Sequence, residues 1–196
     1  MAPLIVATRN EHKLRELREA LPGVDLEPLP DEFELPPEDG ETFEANALGK
    51  ARAAQEATGR AALADDSGIA ARGLNGRPGV RSARYAGEDA TDEENLLKLL
   101  DEVERAGDRR VAYVCAIAYV SQDGSEQTFE ARCEGELIPE PRGEGGFGYD
   151  PAFLPDDTGP SDERTMAELS PTEKHAISHR GRASRMLAAH LGAGGR

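Results

Sequence analysis

Two adjacent carboxylates, Asp65 and Asp66, follow the apolar run Ala61-Ala62-Leu63-Ala64 and precede Ser67-Gly68. Carboxylates at the end of a strand can hold a hard divalent cation and position a water. Neighbours on an extended chain point to opposite sides. One of the pair is therefore expected to enter a site and the other to fix the loop. Ser67-Gly68 reads as a tight turn that exposes the inward carboxylate. Asp66 stands nearest that turn and is the candidate general base or metal ligand. An Asx-type turn without chemistry explains the same tetrad.

Four other islands carry residues of matching chemistry. Thr8-Arg9-Asn10 with Lys13 lies where a strand turns into a helix, and free N–H groups and the positive dipole end there favour phosphate. The glycines of a Walker loop are missing, and the plainer reading is that Asn10 caps the helix and Lys13 is solvated. In Thr42–Thr58, Phe43, Asn46, Ala47, Lys50 and Ala54 share one face by helical spacing. The pair Asn46 and Lys50 on that small, apolar face needs partners if the face turns inward, and a phosphate would supply them. Gly145-Gly146-Phe147-Gly148-Tyr149-Asp150 reads as a loop in which Phe147 has room to stack on a base and Asp150 to accept from a base or sugar. Lys174 with Ser178-His179-Arg180 offers donors for keto oxygens. His175 and His179 are also i and i+4, but no third ligand accompanies them and zinc is disfavoured. Together the islands read as a site for a nucleoside triphosphate and a divalent metal.

The elements that must position these groups are legible in outline. Leu4–Ala7 is a buried strand, and the helix after Thr8–Lys13 turns Leu14, Leu17 and Leu21 inward until Pro22-Gly23. Residues 26–40 form an exposed Pro- and acid-rich loop with one short strand. Thr42 opens an Ala-rich helix to about Gly59, and Ala61–Asp65 is the next strand. Residues 73–79 are a loop. Thr91 starts a capping-box helix with Leu96, Leu99, Leu100 and Val103 on one face. Val111–Val120 is a strand, Asp123-Gly124 a hairpin turn and Thr128–Leu137 the return strand. Ser170-Pro171-Thr172-Glu173 caps a last helix running to about Leu191, and residues 192–196 are expected to fray. Early alternation with a late hairpin predicts an α/β fold with a mixed sheet and flanking helices. The chain, 1–196, reads as a single domain.

Composition narrows the rest. The 196 residues carry a net charge of −15, which argues against nucleic-acid backbone binding. Local Lys and Arg can still hold a triphosphate, because the global field is screened beyond ~8 Å at physiological salt. No run is long enough to span a bilayer, and Met1-Ala2-Pro3 has no signal-peptide pattern, so a cytoplasmic location is expected. With 5% aromatics and no Trp, aliphatic side chains and Ala must fill the core. Cys115 and Cys133 are equidistant from Gly124, so a simple hairpin turning there would set them face to face. Buried, reduced thiols are the expectation.

Read in order, seven segments make the chain resemble the inosine/xanthosine triphosphatase family, the pyrophosphatases of non-canonical purine nucleoside triphosphates. They are Ala7-Thr8-Arg9-Asn10-x-x-Lys13, Glu41-Thr42-Phe43-x-x-Asn46-Ala47-x-x-Lys50-Ala51, Asp65-Asp66-Ser67-Gly68, Gly76-x-Pro78-Gly79, Ser82-Ala83-Arg84-Tyr85, Gly145–Asp150 and Ser178-His179-Arg180. The resemblance implies cleavage between the α and β phosphates of ITP, dITP or XTP, with Mg²⁺ as cofactor. It also implies two lobes around a substrate cleft in an elongated α/β fold, and a homodimer. By the same resemblance Thr8, Arg9, Asn10, Glu11, His12 and Lys13 meet the triphosphate, with Asn46 and Lys50 assisting. Asp66 is proton acceptor and metal ligand, and Ser67 and Arg84 contact substrate. Phe147, Gly148, Tyr149, Asp150, Lys174, His179 and Arg180 surround the base. The family's second metal carboxylate matches Glu38 best, with Asp39 or Glu41 as alternatives. Arg9 replaces a small residue, so its side chain points outward or adds a phosphate contact.

Overall fold

Six strands form one mixed sheet in the computed structural model, which describes residues 3–192. The strands are β1 (Leu4–Val6), β2 (Leu26–Pro28), β3 (Ala62–Ala71), β4 (Arg110–Val120), β5 (Glu126–Leu137) and β6 (Phe153–Pro155), in the order β2-β1-β3-β4-β5-β6. β1 is parallel to both β2 and β3, with Leu4 opposite Leu26 and Val6 opposite Leu63. β6 runs antiparallel to β5. Among the described residues five α-helices accompany the sheet: α1 (Glu11–Ala20), α2 (Phe43–Thr58), α3 (Asp92–Ala106), α4 (Pro171–Ile177) and α5 (His179–His190). No described helix is long and apolar enough to cross a membrane.

The chain divides into two units. The first comprises residues 1–66, 115–131 and 180–196. Within it β1, β3 and β4 are buried on both faces. Leu4, Val6, Leu63, Cys115 and Ile117 pack with Leu17 and Leu21 of the α1 segment and Ala183 and Leu187 of α5. The alternate positions Ile5, Ala7, Ala62, Ala64, Ala116 and Ala118 pack with Ala47, Ala51 and Ala54 of α2. This follows from the period of two along a strand. The second unit comprises residues 67–114 and 132–179. There Leu96, Leu99 and Val103 of α3 pack with Ile69, Val111, Tyr113, Leu137 and Phe153.

The local sequence signals account for most element ends. Thr42 accepts from Ala45 N–H and Gly59 closes α2 in the left-handed region at φ 65°. Thr91 with Glu94, and Ser170 with Glu173, form complete capping boxes.

Three expectations need correction. The strand after Ala61 does not end at Asp65; β3 continues to Ala71, so Asp65 and Asp66 are mid-strand and Ser67-Gly68 is not a turn. Gly68 serves a close approach instead. A Cβ there would lie 2.3 Å from Ser82 Oγ and 2.7 Å from Gly79 O, and that Ser82 hydroxyl accepts the Ile69 N–H at 2.8 Å. The last helix is two helices, because Ser178 is extended (φ −64°, ψ 151°) and the chain restarts a helix at His179. The hairpin closes with Ser121 N–H on Ser125 O at 2.9 Å. It thus centres on Asp123 rather than Gly124, and Cys115 and Cys133 pack in separate clusters as buried thiols not joined in a disulfide. Residues 193–196, part of the segment expected to fray, lie outside the described residues.

Candidate active site

Alternation along β3 sends the two carboxylates to different surroundings. Asp65 shares the face of Leu63 and is fully buried. Its Oδ2 lies 3.1 Å from Arg180 Nε and 3.3 Å from Lys13 Nζ. Arg180, also buried, pairs through its other arm with Glu16 of α1. Burial alone would raise the Asp65 pKa, but Lys13, Arg180 and Lys50 outweigh it and hold the carboxyl well below the usual carboxylate range. Asp65 Oδ1 is buried without a hydrogen-bond partner. Arg180 thus bridges two carboxylates, Asp65 and Glu16.

Asp66 shares the other face with Ala64 and α2. Asn46 and Lys50 are each 5% exposed, so the polar pair on this helix does turn inward. Its partners are two carboxylates, a carbonyl and a backbone amide. Asn46 donates through Nδ2 to Asp66 Oδ2 at 2.8 Å, and its own Oδ1 accepts the Gly40 N–H at 2.8 Å. Lys50 Nζ donates to Asp65 O at 2.8 Å and to Glu38 Oε1. The Asp66 pKa is raised, first by burial and then by the Glu38 charge, against the opposing pull of Lys50 and the Asn46 bond. Burial works to lower the Lys50 pKa, yet Asp65, Glu38 and Asp66 raise it, so the ammonium stays charged.

Two oxygen-donor carboxylates close enough to repel fit a hard divalent cation, which relieves that repulsion. Among the described residues no group of three or more His, Cys, Asp and Glu could hold a metal. Glu38 and Asp66 would supply two oxygen ligands to such a cation. Glu38 is the acid placed against Lys50 and Asp66; Asp39 and Glu41 are exposed.

The 8–13 segment is largely local structure. Asn10 caps α1, its Oδ1 accepting from His12 N–H at 2.9 Å and Lys13 N–H at 3.2 Å, and Thr8 Oγ accepts the Asn10 N–H. Glu11 and His12 are exposed. Arg9 points outward: its guanidinium donates to the carbonyls of Leu29 at 2.9 Å, Pro30 at 2.7 Å and Phe33 at 2.5 Å. It ties down the 26–40 loop. Lys13, half-buried on Asp65, is the cation of this segment that the structure draws to the carboxylates.

In the second unit a different cluster surrounds the 145–150 loop. Asp150 is buried; its Oδ1 accepts from Tyr113 OH at 3.0 Å, and its Oδ2 from Phe147 N–H at 2.9 Å and Lys174 Nζ at 2.8 Å. Burial and then Asp150 push the Tyr113 pKa well above its ordinary value. Asp150 therefore builds the loop rather than reaching out from it. Tyr149 is buried, donating its hydroxyl to Ser82 O at 2.7 Å. Phe147 remains half-buried, with Lys174 Nζ 5.1 Å from its ring centre. His179 stacks on Tyr113, ring centres 4.7 Å apart. The break at Ser178 takes His175 and His179 out of one continuous helix, which removes the i, i+4 metal geometry. Ser67 is half-buried within β3, and Arg84 lies 3.8 Å from Glu88.

Sequence reasoning missed Glu16, Tyr113 and Asp92, and met Ser82 only as part of the Ser82–Tyr85 segment. Glu16 follows Lys13 by three on α1, the one usable hint that the two side chains meet the same buried Asp65–Arg180 pair. Tyr113 was hidden in an apolar strand.

A model of the Ham1 family matches residues 4–190. A protein of Geobacter sulfurreducens named dITP/XTP pyrophosphatase is 49% identical over 199 residues, covering 98% of each chain. One of the same name from Mycolicibacterium paratuberculosis is 50% identical over 196 residues, 95% of this chain and 94% of that one. The solved HAM1 protein of Coxiella burnetii superposes with a TM-score of 0.88 at 41% identity, covering 98% of this chain and 99% of that chain.

Proposed function

Because the chain belongs to the Ham1 family, we propose that it hydrolyses deaminated purine nucleoside triphosphates, dITP and XTP among them, to the monophosphate and pyrophosphate. It is a nucleoside triphosphate pyrophosphatase. The observation that carries the residue assignment is the buried Asp66, raised in pKa beside Glu38 and oriented by Asn46.

Each residue then has a definite task. A carboxylate of raised pKa is a better proton acceptor near neutrality than an ordinary one. Asp66 takes the proton of the attacking water, and Asn46 fixes which way the carboxylate faces. A divalent metal is expected of this chemistry; Glu38 and Asp66 would hold it, and when bound it supplies charge neutralisation at the phosphate oxygens and a more acidic water. We assign that metal as Mg²⁺. Lys13 and Lys50 place fixed positive charge where the leaving pyrophosphate gains negative charge. Phe147 is assigned to the base, with Lys174 as a donor to its keto groups. A donor aimed at position 6 of the purine bonds a keto oxygen and leaves an amino group unpaired, which disfavours ATP.

The same reading carries a single catalytic domain, a homodimer and a cytoplasmic location. Light scattering checks the dimer. The decisive experiment is pyrophosphate release from dITP, XTP, GTP and ATP, with Mg²⁺ and after its chelation. Metal-dependent turnover of dITP and XTP well above ATP is expected. Equal turnover of all four would remove the base assignment, and turnover that survives chelation would remove the metal.

A further inference from the structure

The 145–150 loop is held from below by buried groups and from one side by an exposed one. Asp150 accepts the Phe147 N–H, and Tyr149 reaches Ser82 O, both inside the second unit. Gly146 and Gly148 sit in the left-handed region at φ 73° and 62°, and a Cβ on Gly146 would lie 2.1 Å from Asp150 Oδ2. These features set the loop's path up to Phe147. The next amide, Gly148 N–H, turns the other way and donates to Asp92 Oδ2 at 2.8 Å. Asp92 is the exposed first residue of α3, fifty-six positions away in sequence.

We propose that Asp92 is a positioning residue of the base subsite: its carboxylate on Gly148 N–H fixes the peptide after Phe147 and so the plane in which that ring meets a purine. The inference rests on the reading of Phe147–Asp150 as the base subsite. α3 does not need this carboxylate to start. Its N-terminus is already capped by Thr91 Oγ on Glu94 N–H and by Glu94 on Thr91 N–H. A first-turn acid does favour the helix dipole, but an exposed one contributes little to stability. A charge-assisted bond to a glycine amide in the left-handed region instead holds the N–H side of a peptide whose carbonyl side, Phe147 O, is held by the Asp150 N–H at 3.3 Å. The peptide it restricts is joined directly to the residue carrying the stacking ring.

The test compares Asp92→Ala and Asp92→Asn in the full-length, Mg²⁺-loaded enzyme. Asp92→Ala is expected to raise the KM for ITP about tenfold, as for loss of one charge-assisted hydrogen bond, with kcat within about twofold and an unchanged melting temperature. Inhibition by inorganic tripolyphosphate, which has no base, stays at the wild-type level. Asp92→Asn keeps an acceptor oxygen and restores most of the KM. Hydrogen exchange at Gly148 quickens in the alanine variant alone. An unchanged KM in Asp92→Ala overturns the positioning role, as does a parallel loss of tripolyphosphate inhibition, which marks a general structural effect. A wild-type enzyme that does not prefer ITP to ATP sinks the base-subsite reading first and this role with it, so the two failures are distinguishable.

Discussion

The two faces of β3 treat neighbouring carboxylates in opposite ways. On the α1 and α5 face, Asp65 meets Lys13 and Arg180 and is held charged. On the α2 face, Asp66 meets an amide and a second acid, and is pushed toward its protonated form. One peptide separates them. The difference shows that charge state here follows from the helix covering each face, and not from the Asp-Asp sequence. The saturated face is anchoring; the frustrated face is reactive.

Variants at the two positions should separate along that line. The largest effect is expected of Asp66→Asn, which should lower kcat by about 10²–10⁴-fold through loss of the proton acceptor. Its melting temperature should hold or rise, because repulsion with Glu38 is removed. A stable protein with wild-type turnover would break the assignment. Asp65→Asn should act mainly on the fold. It leaves Lys13 and Arg180 buried without their shared counter-charge, a loss of about 3–5 kcal/mol in denaturant unfolding. A marginal loss would show that Glu16 alone satisfies Arg180. Lys13→Ala lies between the classes, with an expected rise in KM of about tenfold for loss of a phosphate contact and a smaller cost in stability. If KM is unmoved, Lys13 serves Asp65 only.

The smallest effect concerns acid. The Asp65 pKa is depressed in the fold, so its contribution to stability is fully present above the ordinary carboxylate pKa of about 4. It is lost as pH falls from there toward the lower folded value. The unfolding midpoint should therefore decline below about pH 4 more steeply in wild type than in Asp65→Asn, measured against the same buffer series. Parallel curves would place the acid sensitivity elsewhere.

Much of this was legible in the sequence, for identifiable reasons. Thr42, Thr91 and Ser170 cap where their types require, since a cap is a local bond between residues three apart. Helical spacing set Asn46 and Lys50 together among alanines, which marked them as a pair needing partners if that face turned inward. Their partners were not legible, because Asp66 and Glu38 approach from distant parts of the chain. The turn expected at Ser67-Gly68 failed for a similar reason. A glycine that permits a turn and one that admits a neighbouring hydroxyl look alike until Ser82 is brought beside it. Likewise nothing local marked Arg180 as the partner of Asp65, 115 positions away.

The alanine contact between α2 and the sheet has a further consequence. Ala47, Ala51 and Ala54 meet Ala62, Ala64, Ala116 and Ala118 with almost no side chain between the two backbones. That thinness acts as a gauge block: it sets the helix at the height from which a short Asn46 amide can touch Asp66. A bulkier residue at Ala51 would lift the helix, and overpacking of this kind costs about 1–3 kcal/mol. The lift would be felt first as lost reach rather than lost folding. The scarcity of aromatic residues in this chain is, on this face, the machining tolerance of its chemistry.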